Sequence, residues 1–269
     1  MSAAIEVVEA GIASTIQDQG RAGFAHLGVS PSGAVDGRLA ALTNRLVGNP
    51  EHVAVIETCG GLVVRFTGAA LIAGSSELAP LAVSAGATYR VSVNQSSLWQ
   101  YLAVRGGIDV QPVLGSRSTD TLSGLGPPAL VPGDVLAIGI EPQTLLTVDH
   151  APRTPAGGMV RLSPGPRLDW FDPVSFERVV GAVWTVTDSS RVGVRMSGVR
   201  LTRRVARDLP SEGLVRGAIQ VPPDSDPVML LADHPTTGGY PVIAVVDPDD
   251  VATVAQTPPG GSVRFTTRN

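Results

Sequence analysis

Lysine is the residue type whose absence from this chain of 269 residues has the widest consequence. All twenty basic residues are arginine. A phosphate-binding loop, a Schiff base and a kinase phosphate site each need a lysine amine, and biotin is attached only to lysine. These chemistries, and covalent biotin, are therefore excluded from the 269 residues. A genome biased toward arginine codons is the ordinary cause of such a composition.

Cysteine and long apolar runs are also scarce. A single cysteine, Cys59, cannot form a disulfide within the chain, and its setting in "IETCGG" favours a small buried residue over a nucleophile. The start "MSAAIEVVEAG" lacks the pattern of a signal peptide, and no stretch approaches about 18 apolar residues. The formal net charge is −4, and we interpret the basic residues as scattered singly. We therefore expect a cytoplasmic protein that binds neither nucleic acid nor membrane.

Glycine and proline are abundant, at 31 and 22 residues, and they separate many short runs of valine, isoleucine and leucine. Runs such as "LVVRFT", "QYLAVRGGI" and "SVRFTT" are typical of β-strands. Three short segments have helix signals, where Asp36, Asp172 and Asp247 can each cap a helix N-terminus. The sequence predicts a mainly β protein with closed barrels and a few short helices.

A proline- and glycine-rich stretch, "VDHAPRTPAGG" at 148–158, has no periodic pattern and is the best candidate for a linker. The sequences on its two sides are weakly similar, as in "GGLVVRFT" near residue 60 and "GGSVRFT" near the C-terminus. Duplication and chance both explain such a similarity in a glycine-rich chain. We expect one domain over 1–150 and another over 158–269, with an approximate boundary and elements that can be exchanged between them.

The first polar cluster, in "STIQDQGRAGFAHLGVSPSGAVD", contains Gln17, Asp18 and Arg21 among glycines. An arginine beside carboxylates is commonly a structural ion pair. The alternative is a binding site for a small polar ligand, because the Arg21 guanidinium suits a carboxylate or phosphate and Gln17 can bond an amide through both of its ends.

The second cluster, in "AVRGGIDVQPVLGSRSTDT", contains Ser116, Arg117 and Thr119 in a loop that is too polar for the core. Such a loop is either a solvated turn whose hydroxyls bond their own backbone or an anion nest. In the nest, the two hydroxyls, exposed amides and the Arg117 guanidinium converge on a negative group.

The third cluster runs from "SSRVGVRMSG" to "LLADHPTTGGYP". Glu212 follows a Pro-Ser turn, Gln220 lies on a predicted strand, and Asp233 precedes a loop of hydroxyls and glycines. Such groups at strand ends can orient a small molecule and move its protons. A tight structural turn is the competing interpretation. The predicted ligand-binding residues of the loop are Thr236, Thr237, Gly238 and Gly239. Since the histidines are isolated in the sequence, we predict no metal site.

In their order, these clusters resemble the allophanate hydrolase subunit 2 family, also called the biotin-dependent carboxyltransferase family. The resemblance extends from about Ile5 to Phe265 and implies two cyclophilin-like β-barrel lobes. The chain departs from the family pattern at Ser190, where members usually have asparagine, and in "GLGPPALVPGDVL", which replaces a longer loop. These departures put the inherited geometry of the pocket and of the partner contacts in doubt.

The resemblance implies three alternative activities. The first is the activity of an ATP-dependent 5-oxoprolinase, in which this chain is the C subunit. Together with subunits A and B, it opens 5-oxoproline to L-glutamate. The complex uses ATP, and the resemblance does not place ATP on this chain. The second is the carboxyltransferase component of a urea carboxylase and allophanate hydrolase system. The third is a non-catalytic regulator that binds an inhibitor of a histidine kinase.

Small amides and urea share a carbonyl oxygen that gains negative charge during the reaction. Arginine side chains such as Arg21, Arg117 and Arg191 can stabilise that charge. Glu212 or Asp233 can then accept a proton. We therefore predict Glu212, Asp233 and Arg191 as the catalytic residues, with the remaining cluster residues binding the substrate.

Overall fold

The computed structural model describes residues 3–93, 95–143, 146, 150–152, 158–223 and 226–267. The chain divides into two compact units. The first comprises Met1–Ala22 and Ser32–Pro155, and the second comprises Gly23–Pro31 and Ala156–Asn269. A short N-terminal segment thus belongs to the unit that is otherwise C-terminal. Most of the predicted linker at 148–158 lies outside the described residues.

Strands dominate the described part of the first unit. Its elements are β1 (Ala4–Ala10), β2 (Ser14–Gln17), α1 (Gly37–Leu46), β3 (Val55–Thr58), β4 (Leu62–Phe66), β5 (Ala70–Gly74), β6 (Pro80–Val83), β7 (Thr88–Val91), β8 (Gln100–Val104) and β9 (Val135–Ala137), with a 3-10 turn at Ala25–Leu27 that belongs to the second unit. Antiparallel pairing gives a sheet in the order β7-β4-β1-β9 and another in the order β2-β3-β8-β5-β6. Ile5 and Val7 alternate into the core of this unit, as the two-residue period of a strand requires.

The second unit contains a closed barrel. Its elements are β10 (Val160–Pro164), a 3-10 turn at Leu168–Trp170, α2 (Ser175–Gly181), β11 (Val183–Ser189), β12 (Gly193–Ser197), β13 (Glu212–Gly213), β14 (Ala218–Gln220), β15 (Val228–Leu230), β16 (Thr237–Gly238), β17 (Val242–Val246), α3 (Val251–Ala255) and β18 (Ser262–Thr267). The barrel order is β10-β17-β14-β15-β12-β11-β18, and parallel pairing of β18 with β10 closes it. Closure leaves no free sheet edge along these strands. A separate pair, β13 and β16, lies outside the barrel order.

The prediction of a mainly β fold is confirmed.

The helix starts are only partly as predicted. Asp36 caps α1 by accepting a hydrogen bond from the Leu39 nitrogen at 3.0 Å. Asp172 and Asp247 do not cap α2 and α3, which begin about one turn later and have no side-chain cap. The reason is local, because the main-chain carbonyls of both acids accept turn hydrogen bonds before each helix begins. No helix in the described ranges combines the length and the apolar character that crossing a bilayer requires.

A buried carboxylate fixes the chain just before α1. Glu57 of β3 and Tyr101 of β8 are cross-strand neighbours and are fully buried. The Tyr101 hydroxyl donates to Glu57 Oε2 at 2.8 Å and accepts from the Asp36 nitrogen at 2.7 Å. The same Glu57 oxygen accepts from the Val35 nitrogen at 2.7 Å. Burial, and then the neighbouring Glu57 and Asp36 charges, raise the pKa of Tyr101 well above its usual range.

This raised pKa predicts how stability changes in alkali. The folded state holds the Tyr101 proton more tightly than the unfolded state does. The protonated Tyr101 therefore makes its full contribution to stability below the unfolded pKa of about 10, and this contribution is lost as the pH rises from there to the folded pKa. At neutral pH, Tyr101→Phe should lower the free energy of unfolding by about 1–3 kcal/mol, because the Asp36 nitrogen and the Glu57 carboxylate lose a buried partner. Urea unfolding from about pH 8 to 11 should show the wild type falling toward the variant.

The exposed Tyr240 provides the matched control for this experiment. Tyr240→Phe should follow the wild type at every pH. Unfolding free energies of the wild type and Tyr101→Phe that stay parallel through the alkaline range would contradict the account of Tyr101.

Candidate functional site

The first predicted cluster is organised around Asp18, which directly follows β2. Its carboxylate lies at the centre of a ring of donors. The oxygens accept hydrogen bonds from Ser116 Oγ at 2.6 Å, Ser118 Oγ at 2.6 Å, the Arg117 nitrogen at 2.6 Å and the Gly20 nitrogen at 2.8 Å. Of the predicted anion nest, the Ser116 hydroxyl and main-chain amides are present, the Thr119 hydroxyl is replaced by that of Ser118, and the anion held is a carboxylate of the chain itself.

Burial of this loop corrects the expectation that it is too polar for the core. Ser116, Ser118 and Thr119 are 1%, 0% and 5% exposed. The two serine hydroxyls are paired with Asp18, and pairing offsets most of the cost of removing them from water. A polar loop can thus be interior when a carboxylate supplies its acceptors.

The Arg117 side chain does not join the nest. Its Nε donates to the Val110 carbonyl at 2.7 Å, and its Nη2 forms an ion pair with Asp109 at 3.2 Å. Only the main-chain nitrogen of Arg117 faces Asp18. The prediction that its guanidinium converges with the two hydroxyls on one negative group is therefore wrong for this conformation.

Three neighbouring side chains have polar atoms without a hydrogen-bond partner in the described ranges; they belong to Arg21, Gln17 and Thr119. Arg21 donates to the carbonyls of Ser118 and, at 3.3 Å, Val113. Gln17 Nε2 donates to the Thr119 carbonyl at 2.9 Å. Within the described ranges, Arg21 Nη1, Gln17 Oε1 and Thr119 Oγ1 are buried without a hydrogen-bond partner. Each such atom costs on the order of 1–3 kcal/mol until something satisfies it. The three atoms offer a cationic donor, an amide acceptor and a hydroxyl.

In the second unit, the predicted catalytic residues Arg191 and Asp233 bind each other. Arg191 Nε and Nη2 donate to the two Asp233 oxygens, both at 2.8 Å, and the side chains are 4% and 0% exposed. The barrel register explains why these two residues are in contact. Gly193 of β12 pairs with Leu230 of β15, which places Arg191 before β12 next to Asp233 after β15. While this pair persists, both oxygens of Asp233 are engaged.

Glu212 is likewise engaged, although it is less buried. Arg167 binds both of its carboxylate oxygens, with Nε donating to Oε2 at 2.9 Å. Glu212 also pairs with Gly238 between β13 and β16, which places it beside the glycine loop. Gln220, on β14, donates to the Tyr240 carbonyl at 3.0 Å. The structure thus brings Glu212, Gln220 and the loop close together.

Neighbouring atoms lie close to both glycines of this loop. Neither Gly238 nor Gly239 has a left-handed backbone. A Cβ at Gly238 would lie 2.8 Å from the Leu214 side chain, and one at Gly239 would lie 3.1 Å from the Leu209 carbonyl oxygen. A side chain at Gly238 would displace the end of the Leu214 side chain, and one at Gly239 would require a shift of a few tenths of an ångström at the Leu209 carbonyl.

The threonine hydroxyls of the loop remain available. Thr237 is exposed and Thr236 is half-buried, and neither side chain bonds to another part of the chain that the structure describes. His234 is buried, and its Nδ1 lies 2.8 Å from the Pro235 carbonyl oxygen. The described residues contain no group of three potential metal ligands.

Two residues at these clusters were not among the predicted site residues, although Ser118 lies in the loop of the second cluster. Ser118 had a usable signal, because Ser116 and Ser118 are two apart and an extended segment places such side chains on one side. Arg167 lies in "GPRLDWF" and carries no local sign that it binds Glu212, which is 45 residues further on. The partner of a charge is fixed by sheet register, which short-range patterns do not encode.

Comparison with known proteins assigns the family of this chain. The model of the carboxyltransferase domain, subdomain A and B, matches residues 27–267. The chain belongs to this family.

Individual relatives agree with that assignment. The C subunit of the Escherichia coli 5-oxoprolinase is 36% identical over 97% of this chain and 90% of its own length. The urea amidolyase of Lachancea kluyveri is 32% identical over 97% of this chain and 17% of its own length. The crystal structure of TTHA0988 superimposes with a TM-score of 0.89 at 32% identity and covers 98% of this chain. This chain spans 56% of the TTHA0988 chain.

The Arg191–Asp233 pair gives a prediction about stability. Arg191→Met should destabilise the protein by about 3–5 kcal/mol, because it removes the arginine that pairs with both oxygens of the buried Asp233 carboxylate. The double variant Arg191→Met, Asp233→Leu should recover most of that loss. The control is Arg90→Met, since Arg90 and its partner Glu9 are 55% and 54% exposed and such pairs contribute about 0–1 kcal/mol. Urea unfolding measures all of these. Equal losses in the Arg191 and Arg90 variants would contradict the role of burial.

Proposed function

We propose that this chain acts as the C subunit of an ATP-dependent 5-oxoprolinase, which opens the lactam of 5-oxoproline to L-glutamate together with subunits A and B. One observation carries this choice within the family. The match to the Escherichia coli protein accounts for 90% of that protein, whereas the match to the Lachancea kluyveri urea amidolyase accounts for 17%. Most of the amidolyase chain therefore lies outside the segment to which this chain aligns.

The state of the acidic residues supports dependence on partner subunits. Asp233 and Glu212 each accept paired hydrogen bonds from an arginine, and Asp18 is surrounded by donors. A carboxylate with charge-assisted bonds to both oxygens is poorly available to accept a proton. We infer that this chain binds and orients the substrate, and that the partner subunits supply the ATP-dependent chemistry.

The unsatisfied atoms of Gln17, Arg21 and Thr119 suit this substrate. 5-Oxoproline presents a lactam N–H donor, a lactam carbonyl and a carboxylate. Gln17 Oε1 would accept from the N–H, while Arg21 Nη1 would donate to a carboxylate or carbonyl oxygen. Because the three atoms are shielded in the described conformation, the cluster must open before it binds. We assign that opening to assembly with the partner subunits.

Carboxyl transfer to urea is the second candidate function. It is favoured by the similarity to urea amidolyases and by the family to which the chain belongs. Since the 269 residues contain no lysine, the carboxybiotin would have to come from a separate carrier. Urea-dependent consumption of carboxybiotin by the purified chain would place this candidate first.

Reconstitution tests the assignment to 5-oxoprolinase. The purified chain should release little glutamate from 5-oxoproline, and addition of subunits A and B with ATP should produce activity. Glutamate release is the measurement, with the chain omitted as the control. Full turnover by the chain alone would contradict the assignment. Binding to a B-type partner without activity in any combination would indicate the regulatory alternative.

Thr237→Ala separates a ligand-binding loop from a structural turn. The Thr237 hydroxyl has no partner in the described protein, so its removal should leave the melting temperature unchanged. Activity of the assembled enzyme should fall by an amount equivalent to one hydrogen bond, about 0.5–1.5 kcal/mol in kcat/KM. The exposed Thr88 supplies the control, and Thr88→Ala should alter neither quantity. A lower melting temperature with unchanged activity per folded molecule would show that the loop is scaffold.

A further inference from the structure

Arg21 carries a buried positive charge that no anion of the described residues balances. Its side chain is 2% exposed, and it forms no ion pair with any residue that the structure describes. Its hydrogen bonds go to two neutral main-chain carbonyls, those of Val113 and Ser118. Nη1 is enclosed and has no partner in the described ranges. Since a cation removed from water is costly without an anion beside it, this guanidinium is arranged for an anionic group from outside the chain.

The neighbouring carboxylate, Asp18, does not supply that anion. Its oxygens accept hydrogen bonds from the hydroxyls of Ser116 and Ser118 and from two main-chain nitrogens. No ion pair joins Asp18 to Arg21 in the described conformation. Asp18 therefore holds the loop at 116–118 and leaves the Arg21 charge for a ligand.

The contacts of the Gln17 side chain determine which end of its amide is free. Nε2 donates to the Thr119 carbonyl and to the Thr15 hydroxyl, both at 2.9 Å. A carbonyl oxygen only accepts, so the end that faces it must be the amide nitrogen. Gln17 is fully buried, and exchanging the two ends would break both bonds. Oε1 is therefore left as an enclosed acceptor without a donor in the described ranges.

The free atoms of Arg21 and Gln17 belong to one small cluster. Arg21 donates to the Ser118 carbonyl and Gln17 to the carbonyl of the next residue, Thr119. Both side chains therefore end at adjacent peptide units. The Thr119 hydroxyl is the third enclosed atom without a partner in the part of the chain that the structure describes. A ligand that satisfies all three must combine an anionic group, an N–H and a further acceptor in one small molecule.

We propose that Arg21 and Gln17 determine the substrate class, and that this class is a cyclic secondary amide with a carboxylate on its ring. The inference rests on the proposed function and narrows it. The ring N–H bonds to Gln17 Oε1, the carboxylate to Arg21 Nη1 and the amide carbonyl to the Thr119 hydroxyl. Urea lacks the anion, and a lactone lacks the N–H. Each would leave a buried polar atom of the chain unpaired, and a site rejects close analogues most strongly under that condition.

Calorimetric titration of the assembled complex without ATP tests the two roles separately. The ligands are 5-oxoproline, 2-pyrrolidone, which lacks the carboxylate, and the γ-lactone of 2-hydroxyglutarate, in which an oxygen replaces the N–H. Each analogue should bind the wild-type complex at least about tenfold more weakly than 5-oxoproline, because each leaves one buried group unpaired.

Two variants should each remove one of these preferences. Gln17→Met should bind 5-oxoproline and the lactone within about threefold of each other and should still reject 2-pyrrolidone. Arg21→Gln should bind 5-oxoproline no more tightly than 2-pyrrolidone and should still reject the lactone. General damage to the fold would weaken all three ligands together and leave the two ratios unchanged.

The matched control is Ser14→Ala. Ser14 is a buried polar residue on the same strand as Gln17, and its hydroxyl bonds to Thr58 at 2.8 Å. The variant should keep both wild-type ratios, whatever its melting temperature.

Two sets of outcomes separate this inference from the proposed function. A wild-type complex that binds either analogue as tightly as 5-oxoproline would overturn the inference. Glutamate release by the complex with ATP, together with unchanged ratios in Gln17→Met and Arg21→Gln, would overturn the inference alone. If the complex with ATP releases no glutamate from 5-oxoproline, the proposed function fails and the inference fails with it.

Discussion

A carboxylate placed among donors sets much of the architecture of the first unit. Asp18, at the end of β2, accepts hydrogen bonds from a loop about 100 residues further along the chain. The hydroxyls and amides of that loop need an acceptor once they are buried, and Asp18 needs donors once it leaves water. The hydrogen bonds between Asp18 and the loop therefore offset the cost of removing both from water. The polar groups of Gln17, Arg21 and Thr119 are then brought to the same place.

Arginine pairs with several carboxylates in the described residues, and its planar guanidinium determines the geometry of these pairs. Paired contacts to both oxygens recur in Arg191 with Asp233, Arg167 with Glu212 and Arg161 with Asp250. A guanidinium suits this geometry better than an ammonium group, which presents a point charge. Such pairs orient their members and hold both charges.

Local patterns in the sequence were sufficient to predict the strands and α1, but they did not predict which distant side chains bind each other. Apolar runs separated by glycine and proline predicted the strands, and Asp36 predicted the start of α1, because these depend on neighbouring residues. In "GSRSTD", the Ser116 hydroxyl and the amides of the nest were predicted, whereas the second hydroxyl comes from Ser118 instead of Thr119 and the Arg117 side chain bonds elsewhere. The occupant was not predicted, since Asp18 is 98 residues away from Ser116. The same limit applies to Arg167 and Glu212. Asp172 and Asp247 misled because the residue after each is proline, which first forms a turn.

The segment Gly23–Pro31 is translated early but belongs to the unit that is translated last. Ser30 Oγ donates to the Ala232 carbonyl at 2.9 Å across 202 residues of sequence. While the ribosome is still making the barrel, this segment has no surface on which to pack. Contacts of such long sequence separation slow folding. Neither unit corresponds to one continuous stretch of the gene, so a fragment that ends at the unit boundary leaves the second unit without part of itself.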